Sequence, residues 1–263
     1  MKANYHTHTY RCGHAGSYQD EEYVVAAIEN GFNILGFSDH AMFSDNYNEY
    51  GMRAPYSELK GYIKSIDELK EKYKDKITIL KAMECEYFEE FYDELKELLD
   101  SKKMDYLLFA NHFLFHENGR IFNPKELWSS DEYIDLYVKK AIEALNSKLF
   151  KVFAHPDFVF LNYKKWNQHT EDLCRQMLEV AKANDVIIEF NMGGLRREKM
   201  QMGDEFRYPY PYDKFFNIVK EVGNKIIIGV DCHKPSELGI EEYNRALVMT
   251  KELGLEVLDK IEL

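Results

Sequence analysis

The chain has 263 residues, 45% of them hydrophobic and 30% charged, which suits a globular protein with a substantial core and is too apolar for a disordered one. Lys and Arg total 34 against 46 Asp and Glu, a formal net charge of −12 that argues against a general nucleic-acid or anionic-membrane binder. The four cysteines, Cys12, Cys85, Cys174 and Cys232, form no CxxC pair and are too sparse for a disulfide framework.

From the N-terminus onward, β-rich runs alternate with helical stretches. The opening Met1-Lys2-Ala3-Asn4-Tyr5-His6 carries no apolar run long enough for a signal peptide, so a cytoplasmic protein is expected. A strand is predicted over 3–7, followed by a helix over 20–30 that Gly31 ends. A strand over 34–38 precedes a helix over 56–74, where Leu59, Ile63, Ile66 and Leu69 recur at three- and four-residue steps. Next come a strand over 78–86, a helix over 91–101, a strand over 106–112 and a helix over 130–149. Strands over 151–155, 186–191 and 225–231 then alternate with helices over 170–183, 211–222 and 241–253, Gly223 stopping the second of these. The most apolar runs are of strand length, far short of a membrane span. No linker divides the chain, so one α/β domain over 1–263 is expected. Seven β-then-α units without a Gly-rich first turn favour a parallel barrel over a dinucleotide fold.

Five of the nine histidines, His6, His40, His112, His155 and His233, lie at or just after the C-terminal ends of five different predicted strands. In a parallel barrel those ends converge on one face. Glu84 ends the third strand and Asp231 the seventh. His6 and His8 are two apart on an extended chain, so their rings share a face and can hold one ion. Mixed imidazole and carboxylate donors suit Zn, Mn or Fe rather than a soft thiolate cluster. Seven histidines and two carboxylates are too many for one ion and point to two or three. Asp39 either ligates or orients a histidine. His169 reads as a surface residue at a helix start, and His116 has no assigned role.

The ordered set His6-Thr7-His8-Thr9, Cys12-Gly13-His14, Ser38-Asp39-His40, Glu84, His112, His155-Pro156 and Asp231-Cys232-His233 resembles the PHP (polymerase and histidinol phosphatase) superfamily, and most of all its stand-alone histidinol-phosphate phosphatases. The resemblance implies a distorted (β/α)7 barrel with three divalent metals. It assigns His6, His8, Glu84 and Asp231 to the first, Glu84 as bridge with His112 and His155 to the second, and His14, His40 and His233 to the third. It also implies hydrolysis of L-histidinol phosphate in histidine biosynthesis, with Glu84 central to catalysis; since two metals lower the pKa of a bridging water, in-line attack by that hydroxide, without a phosphoenzyme, is expected. Asp39 and a metal-bound water are alternatives for delivering the leaving-group proton.

For the phosphate, the family's use of an arginine in this region favours Arg197, then Arg196, after the Gly193-Gly194 turn; Arg11 is a further candidate. Glu117 is the expected acceptor for the substrate amine, with Phe113, Phe115 or Tyr87 as aromatic walls. The loops 42–55 and 116–128 either cover the site or decorate the surface. Other readings are a phosphoesterase for a nucleotide, DNA-end or phosphotyrosyl substrate, or a metal-binding module without turnover.

Overall fold

The computed structural model describes residues 1–45, 51–117 and 120–263. Seven strands pair in parallel in chain order: β1 Ala3–Asn4, β2 Ile34–Phe37, β3 Thr78–Cys85, β4 Tyr106–Phe109, β5 Val152–Phe153, β6 Ile187–Asn191 and β7 Ile226–Gly229. Helices follow them in turn: α1 Asp20–Glu29, α2 Leu59–Lys72, α3 Tyr92–Asp100, α4 Asp131–Asn146, α5 Gln168–Ala183, α6 Asp213–Val222 and α7 Ile240–Glu252. Beyond β1 and β7 the ring is joined by hydrogen bonds. Val230 N donates to Asn4 Oδ1 at 2.9 Å, Cys232 N to the His6 carbonyl at 3.1 Å and His8 N to the Cys232 carbonyl at 2.7 Å. The result is the expected distorted (β/α)7 barrel, nearly closed and surrounded by helices.

Alternation along the strands explains its two cores. Tyr5, Ala82, Tyr106, Leu108, Val152, Ile187 and Ile227 fill the barrel interior, and Ile261 of the C-terminal segment joins them. Leu35, Phe37, Met83, Phe109, Phe153, Ile188, Phe190 and Ile228 face the helices instead. The same two-residue step carries the interior from apolar to polar at the C-terminal mouth. Ala82 is followed by Glu84, Leu108 and Ala110 by His112, Ile187 by Glu189 and Asn191, and Ile227 by Gly229 and Asp231. Gly36 has no side chain because a Cβ there would lie 2.0 Å from Tyr106 Oη, which donates to the Tyr5 carbonyl.

On α2, Leu59, Tyr62, Ile66 and Leu69 are buried and Ile63 is half-buried against the same core, so the predicted stripe faces inward. Gly31 and Gly223 end their helices with φ of 74° and 76°, the left-handed conformation that favours glycine.

Two features differ from the expectation. Most strands stop short of their predicted C-terminal ends, β4 at Phe109 and β5 at Phe153, because the following residues leave the ladder to turn toward the barrel mouth. Two antiparallel hairpins, Phe115–Glu117 with Arg120–Phe122 and Met200–Met202 with Glu205–Arg207, occupy stretches expected to be loop. Residues 46–50 and 118–119 of the two long loops lie outside the described residues. No described helix is long and apolar enough to cross a membrane.

Candidate metal centre

Glu84, at the inner end of β3, is the hub. Its Oε1 lies 2.8 Å from His155 Nε2, 3.3 Å from His6 Nε2 and 3.6 Å from His112 Nε2. Its Oε2 lies 3.0 Å from His40 Nδ1 and 3.4 Å from His8 Nε2. Asp231 Oδ1 closes the opposite side, 3.6 Å from His6 Nε2 and 3.4 Å from His8 Nε2. The His233 ring stacks on His8 and His14 with centroids 4.2 and 4.6 Å apart, and His14 and His40 are 5.5 Å apart. The structure therefore brings together all nine residues singled out as ligands, from six strand ends and the turn at His14.

The donor set fits divalent cations. His8 Nδ1, both His40 ring nitrogens and His233 Nε2 are buried without a hydrogen-bond partner; His40 Nδ1 is near Glu84 but outside hydrogen-bond geometry. Orphaned ring nitrogens beside carboxylates are what a cation would satisfy. Groups such as His6, His8 and Asp231, or His6, Glu84 and His155, have donor atoms within 4.8 Å of one another. Burial opposes charge on Glu84, yet His6, His112 and His40 hold its carboxyl well below the usual range. Asp231 is likewise held down, against burial, by His6 and His8. Burial pushes His8 down, aided by His233, and lowers His40 too, whereas against burial Glu189 raises His6 and Glu84 raises His155.

Three contacts orient the candidate ligands, and none was evident from spacing alone. Glu189, on the inner face of β6, accepts from His6 Nδ1 at 2.8 Å through Oε1. Its Oε2 accepts the His155 backbone N–H at 3.0 Å and Asn191 Nδ2 at 2.8 Å. Gly229 makes room for it, since a Cβ there would meet Glu189 Oε1 at 1.7 Å. Glu86 Oε1 lies 3.3 Å from His112 Nδ1, while its Oε2 accepts from Arg53 Nη2 at 3.0 Å. Burial works against charge on Glu86, but Arg53 and His112 bring it down to about 2. The third contact is made by Arg196, whose Nη1 and Nη2 donate to the Val230 and Asp231 carbonyls, both at 2.7 Å. The backbones it and Glu189 brace are unusual: Asp231 has φ of 53° and His155 of 29°. An acid inside the otherwise apolar run of β6 was the one sequence signal for Glu189, because a buried charge needs a partner.

A cavity of about 390 Å³ opens over the cluster, walled by Met52, Phe158, Tyr210, Arg197 and Glu237 besides the candidate ligands other than His6. Arg197 is exposed at its rim. Arg196 lines it too, with its guanidinium committed to backbone carbonyls. Arg11 is turned away into an ion pair, Nη1 lying 2.9 Å from both Asp20 carboxylate oxygens. Asp39 does not line the cavity; its two oxygens accept from Thr9 N at 2.6 Å and Thr9 Oγ1 at 2.5 Å. Glu117, Phe115 and Tyr87 line a separate cavity with His116, whose ring reaches Glu90 at 2.5 Å and Asp45 at 2.8 Å. Phe113 packs against the outer core, and His169 on α5 pairs with Asp135 at 2.8 Å on the surface. Phe158 and Tyr210 supply the aromatic wall instead, their ring centroids 5.7 Å apart.

A seven-stranded parallel barrel whose mouth gathers imidazoles around a shared carboxylate defines a metal-binding hydrolase scaffold, and the sequence matches the PHP domain over residues 4–193: the chain belongs to that family. It is 24% identical to the histidinol-phosphatase of Bacillus subtilis (strain 168), the alignment covering 91% of this chain and 96% of the relative. Its fold is shared with a histidinol phosphate phosphatase from Lactococcus lactis solved with Zn, L-histidinol and phosphate, at 19% identity and a TM-score of 0.71, covering 98% of this chain and 95% of that one. A chain from archaeal ribonuclease P with mature tRNA shares it more distantly, at 13% identity and a TM-score of 0.51, covering 100% and 97%.

Proposed function

We propose that the protein is a metal-dependent phosphatase that hydrolyses L-histidinol phosphate to L-histidinol and phosphate in histidine biosynthesis. The observation that carries this reading is the convergence of seven imidazoles and Asp231 on Glu84 beneath an open cavity. The likeness to the B. subtilis enzyme along nearly its whole length supports the choice of substrate. Three divalent cations, Zn, Mn or Fe, would be held as the ordered motif implies: one by His6, His8, Glu84 and Asp231, one by Glu84, His112 and His155, and one by His14, His40 and His233. Bound there, they supply an activated water and neutralise charge on the phosphoryl group.

The chain's own residues do the rest. Arg197 binds phosphoryl oxygens from the rim with its planar fork. Phe158 and Tyr210 hold the organic part of the ester and exclude bulk water. Burial pushes the Tyr210 phenol up, so it stays a hydrogen-bond donor toward the ester oxygen. Glu84 and Asp231 remain ionised and keep the reacting centre anionic enough to hold cations. Asp39 anchors the segment carrying His6 and His8 to the end of β2 through Thr9. Four unpaired cysteines agree with a reducing cytoplasm as its place of work, and the net charge with a small-molecule substrate rather than nucleic acid. Steady-state assays with histidinol phosphate and a nucleotide panel test the reading: kcat/KM should be largest for histidinol phosphate and abolished by chelation, and a larger value for a nucleotide would overturn it.

A further inference from the structure

Of the apolar side chains that wall the cavity over the cluster, Met52 and Phe158 are packed into neither core of the barrel. Phe158 stands on the flank of His155 and His112, with ring centroids 5.4 and 5.8 Å from theirs. Met52 is the one aliphatic side chain in the wall among the described residues, and its neighbours in the chain are pinned on both sides. Gly13, on the turn that carries His14, packs so closely on Gly51 that a Cβ there would lie 1.5 Å from the Gly51 carbonyl oxygen. Arg53, 3% exposed, donates through Nη2 to Glu86 Oε2 at 3.0 Å, and the other oxygen of that carboxylate lies 3.3 Å from His112 Nδ1. Met52 therefore sits half-buried in a segment tied to the His14 turn before it and to the His112 side after it.

The cations and Arg197 take the phosphoryl group, which leaves the organic part of the ester to the apolar walls. We propose that Met52 is a specificity-determining residue: its thioether packs against the imidazole ring of L-histidinol phosphate in the cavity that Phe158 also lines. A thioether makes favourable contacts with aromatic rings, and an unbranched side chain adapts to a ring that enters and leaves. The anchors at Gly51 and Arg53 fix where that side chain starts, so little ordering of the backbone is needed when the ring binds. Met52 offers nothing to the phosphoryl oxygens or to a cation, so its contact is equal in the ground state and the transition state and acts on binding rather than on the chemical step. The inference rests on the substrate reading under Proposed function and deepens it by naming a residue that recognises the ring.

The test compares wild type with Met52→Ala and Met52→Leu as metal-loaded full chains. For Met52→Ala, the KM for L-histidinol phosphate and the inhibition constant of L-histidinol should both rise by about 5–10-fold, the scale of a lost apolar and thioether–ring contact. Its kcat and the inhibition constant of inorganic phosphate should stay as in wild type. Met52→Leu, which keeps the volume and the apolar surface, should lie nearer wild type than the alanine variant in every quantity. A kcat or a phosphate inhibition constant that moves along with KM would place the effect in the metal centre and overturn the proposal. An unchanged KM would overturn it too, as would an alanine variant that no longer folds, since the residue would then be structural. Wild-type protein that does not hydrolyse L-histidinol phosphate would instead defeat the substrate reading on which the proposal rests.

Discussion

Glu84 and Glu189 are both buried acids on the inner face of the barrel, yet only Glu84 stood out by spacing, because a ligand sits at a strand end while an orienting residue sits one inward step below the mouth. Glu189 joins His6, the backbone of His155 and Asn191, so one carboxylate orients ligands that approach Glu84 from different strands. Replacing it by Gln keeps the volume and removes the charge. Glu189→Gln is expected to weaken cation retention by about 10–100-fold in chelator competition, and unchanged retention would deny it an orienting role. Asp157 tests a different property. It is fully buried, Oδ2 accepting Tyr212 N at 2.7 Å and Oδ1 having no partner, and burial pushes it up to about 6 from an ordinary 3.8. The folded protein therefore binds more protons than the unfolded chain between those values, so this group's contribution is present below about pH 4 and lost as pH rises through 6. Relative to wild type, Asp157→Asn should gain stability by about 1–3 kcal/mol between pH 4 and 7. Urea unfolding of both proteins at each pH measures the difference, and a gap independent of pH would contradict the assignment.

The repeating β-then-α unit was legible because each strand alternates or runs apolar and each helix carries its own apolar stripe. The seven strands and seven helices accordingly stand where the periodicity put them. The hairpins were not legible, since three-residue pairings such as Met200–Met202 with Glu205–Arg207 are too short to show a period and depend on their surroundings. The early strand ends have a related cause: residues such as His112 and His155 leave the ladder to join the cluster around Glu84, and local propensity carries no sign of that. Arg196 was read as a phosphate candidate from its charge, whereas its contacts with the Val230 and Asp231 carbonyls depend on a neighbouring strand. The Gly193-Gly194 turn belongs to this scale as well. A Cβ on Gly194 would lie 1.9 Å from the Tyr210 carbonyl oxygen, so the glycine lets the Tyr210 segment approach the end of β6 and keep its ring in the cavity wall. Gly194→Ala should destabilise the protein by about 1–3 kcal/mol. Thermal unfolding measures this, and an unaltered transition would mean that the segment yields without cost.

At the scale of the whole molecule, a net charge of −12 surrounds a mouth built from imidazoles and a few held carboxylates. The protein thus meets an anionic ester with a surface that repels it and a centre that attracts it once cations are bound, which makes metal content decisive for function. The barrel brings donors from positions 6 to 233 into one cluster, and the ordered histidine motifs announced that convergence, whereas the contacts that orient them needed the three-dimensional fold. The most direct check is the metal-to-protein ratio of the purified chain, measured by elemental mass spectrometry. Three equivalents per chain, falling in a Glu84→Gln variant, is the predicted result; one equivalent or none would contradict a centre shared by several cations.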